Sequence, residues 1–161
     1  MPNTRGGIMD NKPDPAPPTA AKLMTEKLET INLLNTAQEA AMKMADRNVS
    51  SLAVVDDDGK AIGIVTERDL ARRICTTNRS CDNVIVEEII SFPVITIKPD
   101  DSLETAARYM VQKRIRHLLV TDDVNQPIGI ITPTDFTEYL NKNDELDEVI
   151  RQVLREHARY E

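Results

Sequence analysis

Two short stretches of the chain hold residues placed to do the same chemistry: Thr66 and Asp69 in IGIVTERDL, and Thr132 and Asp135 in IGIITPTDF. In each, an apolar run of strand character ends at a threonine, and an aspartate follows three residues later. A strand-to-helix junction presents backbone N–H groups and the positive end of a helix dipole, which together attract anions. A threonine hydroxyl there can donate to a phosphate oxygen, and an aspartate one turn further on can accept from two vicinal hydroxyls, the pattern a ribose offers. The same spacing is also that of a capping box, in which the two side chains satisfy the helix N-terminus. Both readings fit the residues, and the two roles can coexist. On the ligand reading, replacing either aspartate by alanine lowers affinity far more than stability.

The elements that must position these residues are themselves duplicated. Displacing the chain against itself by 66 residues gives 14 identical pairs between Thr30/Thr96 and Asp69/Asp135, among them Ala40/Ala106, Met44/Met110, Leu52/Leu118 and Gly63/Gly129. A period this long exceeds that of common solenoid repeats and marks a duplicated unit. Within each copy LETIN or VITIK reads as a short strand. NTAQEAAMKMADRN or DDSLETAARYMVQKR has helical spacing, opened by the N-cap types Asn35-Thr36 and Asp101-Ser102. SLAVVD or HLLVTD, a turn, and AIGIVT or PIGIIT then form a hairpin, and a second helix begins after the threonine. Neither copy has enough sheet to bury its apolar faces alone, so the two should pack into one α+β body.

Composition narrows the function. The chain has 161 residues, 40% hydrophobic and 29% charged, as a globular protein does. A net charge of −7 with 3% aromatic residues disfavours nucleic acid, which asks for a basic face and stacking platforms. Cys75 and Cys81 have no companion CxxC or histidine cluster, so they read as reduced thiols and no metal site is expected. His117 and His157 lack the partners of a catalytic triad, and no glycine-rich phosphate loop is present, so no catalytic residue is assigned. No apolar run of membrane-spanning length occurs and the start lacks a signal-peptide core, so a cytoplasmic protein without membrane contact is expected. Residues 1–22, rich in proline, are expected to lie outside the fold.

With order, spacing and duplication in hand, both copies resemble the cystathionine-beta-synthase (CBS) domain family, and the pair resembles a Bateman module. The features that carry the resemblance are the AAxxM helices (Ala40, Ala41, Met44; Ala106, Ala107, Met110) and the segments VSSLAVVDDDGKAIGIVTERDL, IRHLLVTDDVNQPIGIITPTDF and VEEIISFPVITIKPDDSLETA. One departure is Leu33, which stands where the second copy has Pro99. The resemblance implies a first repeat at 23–80, a second at 81–141, each strand-helix-strand-strand-helix, and a C-terminal helix at 142–161. The two repeats would pack through their sheets about a pseudo-twofold axis.

The resemblance also implies two clefts between the repeats. The first would join Thr66, Arg68 and Asp69 to Arg116 and His117, with Ser91–Val94 near its base; the second would join Thr132 and Asp135 to Ser50 and Ser51, with Thr25–Leu28 nearby. Ile64 and Ile130 are suitable walls for an adenine ring. The ligand implied is an adenine-containing small molecule such as AMP, ADP, ATP, NAD or S-adenosylmethionine, with no cofactor required. Because Arg68, Arg116 and His117 face Thr134, Ser50 and Ser51 in the alignment of copies, the first cleft should hold phosphates and the second should keep only neutral hydroxyls. A protonated His117 would make affinity rise as pH falls toward 6. Leu146, Val149, Ile150, Val153 and Leu154 form a helical stripe that can pack on its own module or, the livelier option, against a second copy in a homodimer. The reading is a regulatory energy-sensing module acting on an unknown protein partner; its alternative is a structural or interaction module with vestigial pockets.

Overall fold

The computed structural model describes residues 17–142 and 148–157. Each copy begins with a short strand that pairs in parallel with the first strand of a hairpin. In the first copy β1 (Thr30–Asn32) lies beside β2 (Ser51–Val55), and β2 runs antiparallel to β3 (Ala61–Thr66). In the second, β4 (Thr96–Ile97) lies beside β5 (Leu118–Thr121), which runs antiparallel to β6 (Pro127–Ile131). The parallel pairs need a crossover, supplied by α2 (Ala37–Arg47) and α5 (Leu103–Lys113).

The crossover helices start where the sequence signals them. The Thr36 side chain accepts from the Glu39 N–H at 3.1 Å while the Glu39 carboxylate accepts from the Thr36 N–H at 2.7 Å, a complete capping box. Those hydrogen bonds hold the Glu39 carboxyl below its ordinary range. Ser102 caps α5 by accepting from the Thr105 N–H at 3.1 Å, without the reciprocal bond. Both helices stop on a left-handed residue, Asn48 at φ 52° and Arg114 at φ 53°.

After Thr66 the chain enters α3 (Glu67–Leu70), which widens into a π-helical turn at Ala71–Cys75; after β6 comes the regular α6 (Pro133–Lys142). Two short lead-in helices, α1 (Ala20–Leu23) and α4 (Val86–Ile89), precede β1 and β4. Each is buried in the opposite copy. Val84, Val86 and Ile89 join Leu52, Val54, Val65 and Met44 in one core, whereas Ala20 and Leu23 join Met110, Leu118, Val120 and Phe136 in the other. Thr25 bridges to Ile130 and, 66 residues later, Ser91 bridges to Ile64. Gly63 and Gly129 permit this crossing: a Cβ at Gly63 would stand 2.2 Å from Ile90, and one at Gly129 would stand 2.5 Å from the sulfur of Met24. The two sheets meet through a third layer, Ala53, Ala61 and Ile64 against Leu119 and Ile130.

Two expectations change. Residues 17–22 belong to the packed body: Pro18 and Thr19 run beside Leu103 and Ser102, and Ala20 is fully buried. The C-terminal helix α7 (Glu148–His157) lies on α5 and α6 of its own chain, where Ile150 and Val153 are buried and Leu154 is half-buried, so this part of the stripe is used within one chain. Leu146 and the Val149 side chain lie outside the described residues. Cys75 and Cys81 are free thiols.

Candidate functional site

At the end of β3 the capping box suggested by the sequence is formed. The Thr66 N–H and hydroxyl both donate to Asp69 Oδ2, at 2.9 and 2.8 Å, and the Asp69 N–H donates to Thr66 Oγ1 at 3.2 Å. The second copy repeats half of it: the Thr132 N–H and hydroxyl donate to Asp135 Oδ2 at 2.6 and 2.8 Å, but the Asp135 N–H donates to the Thr132 carbonyl at 3.1 Å. The other carboxylate oxygen meets the crossed lead-in: the Ser91 hydroxyl lies 3.3 Å from Asp69 Oδ1 and the Thr25 hydroxyl 2.9 Å from Asp135 Oδ1. Each threonine proton is thus engaged by its own aspartate. In this arrangement the threonine hydroxyl is not free to donate to a phosphate, and the Asp69 oxygens are met by Thr66, the Ser91 hydroxyl and the Arg73 guanidinium.

Ile64, Thr66, Arg68, Asp69, Arg116 and His117 line a single opening of about 420 Å³ together with Ser91, all expected around the first cleft, and Ser50, Glu67, Arg114 and Ile115 complete it. Val94, expected near its base, packs in the layer between the sheets and does not line the opening. Arg114 is the residue sequence reasoning missed. Its counterpart Asn48 is a type that accepts left-handed backbone readily, whereas an arginine at φ 53° is held there at a cost of about 1 kcal/mol or more. That mismatch between aligned positions was the available signal.

Among the described residues, Arg68, Arg114 and Arg116 form no ion pair. By contrast Arg47, Arg73, Arg79 and Arg108 each lie within 4 Å of a carboxylate, Arg73 at 3.5 Å from Asp69. Three guanidiniums without carboxylate partners among the described residues border one opening, and that residue type is chemically suited to anion oxygens. His117 behaves otherwise than expected. Burial first, then the charge of Arg116, lower its pKa to about 4 against an opposing pull from Asp69, with Arg68 adding the smallest share. It is neutral near pH 6 in the unliganded chain, not the imidazolium expected.

The second cleft is smaller, about 210 Å³, and gathers Ser50, Ser51, Ile130, Thr132 and Asp135 with Thr25, Leu28, Asn48 and Val49. Lys27 also lines it, which corrects the expectation of neutral hydroxyls alone. Ser50 borders both openings. Among the described residues no group of three histidine, cysteine or acidic side chains is gathered to hold a metal, and no helix is long and apolar enough to cross a membrane.

Paired strand-helix-hairpin-helix units with a cleft on each side of a pseudo-twofold axis define a tandem-repeat class of protein, and comparison with known proteins gives that class its family. The CBS domain profile matches residues 20–76 and again 86–142, so the chain belongs to the CBS domain family. An uncharacterized protein of Methanopyrus kandleri is 39% identical over 103 residues, 64% of this chain and 53% of its own length. The CBS domain-containing protein YhcV of Bacillus subtilis is 31% identical over 81% of this chain and 91% of its own. The chain spans only about a quarter of some longer archaeal relatives, such as the homoserine O-acetyltransferase of Methanohalobium evestigatum, of which it covers 24%. Among solved structures, the CBS domain pair of protein MJ0100, in complex with 5′-methylthioadenosine and S-adenosyl-L-methionine, superposes with a TM-score of 0.69 at 27% identity, covering 78% of this chain and 98% of that one.

Proposed function

We propose that the chain is a regulatory module that binds an adenosine phosphate in the Thr66/Asp69 cleft and passes that state to a protein partner. The observation that carries this reading is the gathering of Arg68, Arg114 and Arg116, which form no ion pair among the described residues, around the opening that the Thr66-Asp69 pair also lines. Ile64 supplies an apolar wall for the base. The adenosine ligands of the MJ0100 pair support an adenosine here too. The three cations favour phosphates over the sulfonium of S-adenosylmethionine. A purely structural module would account for the capping boxes but leaves the arginines without a role.

Titration calorimetry with AMP, ADP, ATP, adenosine and S-adenosylmethionine tests the reading. The phosphates bind more tightly than adenosine, and added salt weakens them. Arg116→Ala lowers their affinity by about ten- to hundredfold, the loss of a charged hydrogen bond worth about 1.5–3 kcal/mol, while Lys27→Ala in the other cleft has a much smaller effect. Binding indifferent to both Arg116→Ala and salt, or no binding at all, overturns it.

A further inference from the structure

Arg68, Arg114, Ile115 and Arg116 border not only the first cleft but also a separate chamber of about 440 Å³, whose walls include neither Thr66 nor Asp69. The rest of its lining is Met110 and Val111 from the last turn of α5, Pro133 at the start of α6, and Val153 and Glu156 from α7. We propose that this chamber is a further binding site, for a large apolar or aromatic α-amino acid in its zwitterionic form. The ligand's carboxylate meets the guanidiniums, its ammonium meets Glu156, and its side chain lies on the apolar wall. The site goes beyond the adenosine-phosphate reading and does not require a nucleotide to be bound.

Three kinds of group in the lining select this class. The planar fork of arginine fits a carboxylate, and the three arginines form no ion pair among the described residues. Glu156 accepts from Gln152 of its own helix at 3.3 Å and likewise has no cationic partner among the described residues. Met110, Val111, Ile115, Pro133 and Val153 make the remainder apolar. A phosphate would use the cations, leave the apolar wall idle and be opposed by Glu156. An apolar monocarboxylate would use cations and wall but offer Glu156 nothing to bind, and an apolar amine would be opposed by the arginines. A zwitterion with an apolar side chain answers all three. The volume lies in the range of small-molecule sites, roughly 300–1,000 Å³, which suits a large side chain better than a small one. Because Val153 and Glu156 come from α7, the chamber is complete only with that helix seated on α5 and α6.

Calorimetry on the whole, nucleotide-free chain tests this with leucine, methionine, phenylalanine and tryptophan, each beside its deaminated acid and its decarboxylated amine. At least one of the four amino acids binds, about tenfold or more tighter than either of its own analogues. Glu156→Gln, at a partly exposed position, lowers that affinity about tenfold and leaves the deaminated acid within about twofold, so that the two converge. Val111→Trp, which narrows the chamber at a half-buried position, weakens the amino acid by tenfold or more. Glu156→Gln decides the matter should Val111→Trp lose its folded circular dichroism. A deaminated acid that binds as tightly as its amino acid, an affinity unmoved by Glu156→Gln, or no binding by any of the four at millimolar concentration overturns the site. The adenosine-phosphate reading, measured by its own titrations, stands or falls separately.

Discussion

Asp69 is 9% exposed and its two oxygens are engaged by the Thr66 N–H and hydroxyl, the Ser91 hydroxyl and the Arg73 guanidinium. Its removal therefore reaches stability, contrary to what the sequence suggests for a carboxylate that only reads a ribose. Asp69→Ala should destabilise by about 1–2 kcal/mol through the lost cap and the donors left unpaired, measured by urea denaturation. A change below about 0.3 kcal/mol would show that the box carries no stability. His117 gives a second residue-scale outcome. Its folded pKa, about 4, lies below the 6.5 of a free imidazole, so the unfolded chain binds the proton more readily. The stabilising contribution is complete above pH 6.5 and is lost as pH falls from 6.5 toward 4. Between pH 7.5 and 5 the protein should lose about 1–2 kcal/mol more stability than His117→Gln does. Equal losses in the two proteins would rule out a buried neutral imidazole.

At the scale of elements, the repeated IGI of the second hairpin strands has a packing reason that a strand pattern alone does not reveal. Gly63 and Gly129 are where the crossed lead-ins press on β3 and β6, against Ile90 and Met24. The neighbours differ in stiffness. Ile90 is β-branched and confined in rotamer, and a Cβ at Gly63 would also come within 3.2 Å of the Ser91 carbonyl oxygen; Met24 is unbranched and can swing its sulfur aside, leaving the contact with its own Cβ at 3.1 Å. Gly63→Ala should therefore destabilise by about 1–3 kcal/mol and Gly129→Ala by less, and Ile90→Ala should recover part of the Gly63→Ala loss. Thermal unfolding of the three variants checks this, and equal penalties at the two glycines would contradict it.

At the scale of the whole molecule, exchange of the lead-ins means that neither repeat owns a complete core. The first repeat's core takes Val84, Val86 and Ile89 from the second repeat's lead-in, and all three are at most 1% exposed. Three such aliphatic side chains are worth about 1.5–3 kcal/mol each when buried, comparable together to the 5–15 kcal/mol that stabilises an ordinary domain. A chain ending at residue 80 should consequently stay unfolded, with no cooperative melt and collapsed amide dispersion, while the full chain unfolds in one transition. A folded, cooperative 1–80 fragment would refute the shared core.

The sequence by itself determined the duplication, the order of elements and the caps at Thr36 and Ser102, all written in short-range terms, a period of two or 3.6 and side chains bonding within one turn, or in the comparison of one copy with the other. Which residues of the two copies meet at the first cleft was implied by the family resemblance and by no period. Tertiary structure alone decided which surface each apolar segment covers. Hydrophobic burial has no direction, so nothing in the stripe of α7 distinguishes α5 and α6 of its own chain from a second copy. The same holds for the lead-ins, whose crossing brings Ser91 to Asp69 and Thr25 to Asp135. The neutral His117 was likewise out of reach, because a pKa depends on burial and on charges from several separate segments; for Arg114 the mismatch with Asn48 was legible, but its convergence with the other guanidiniums took the fold.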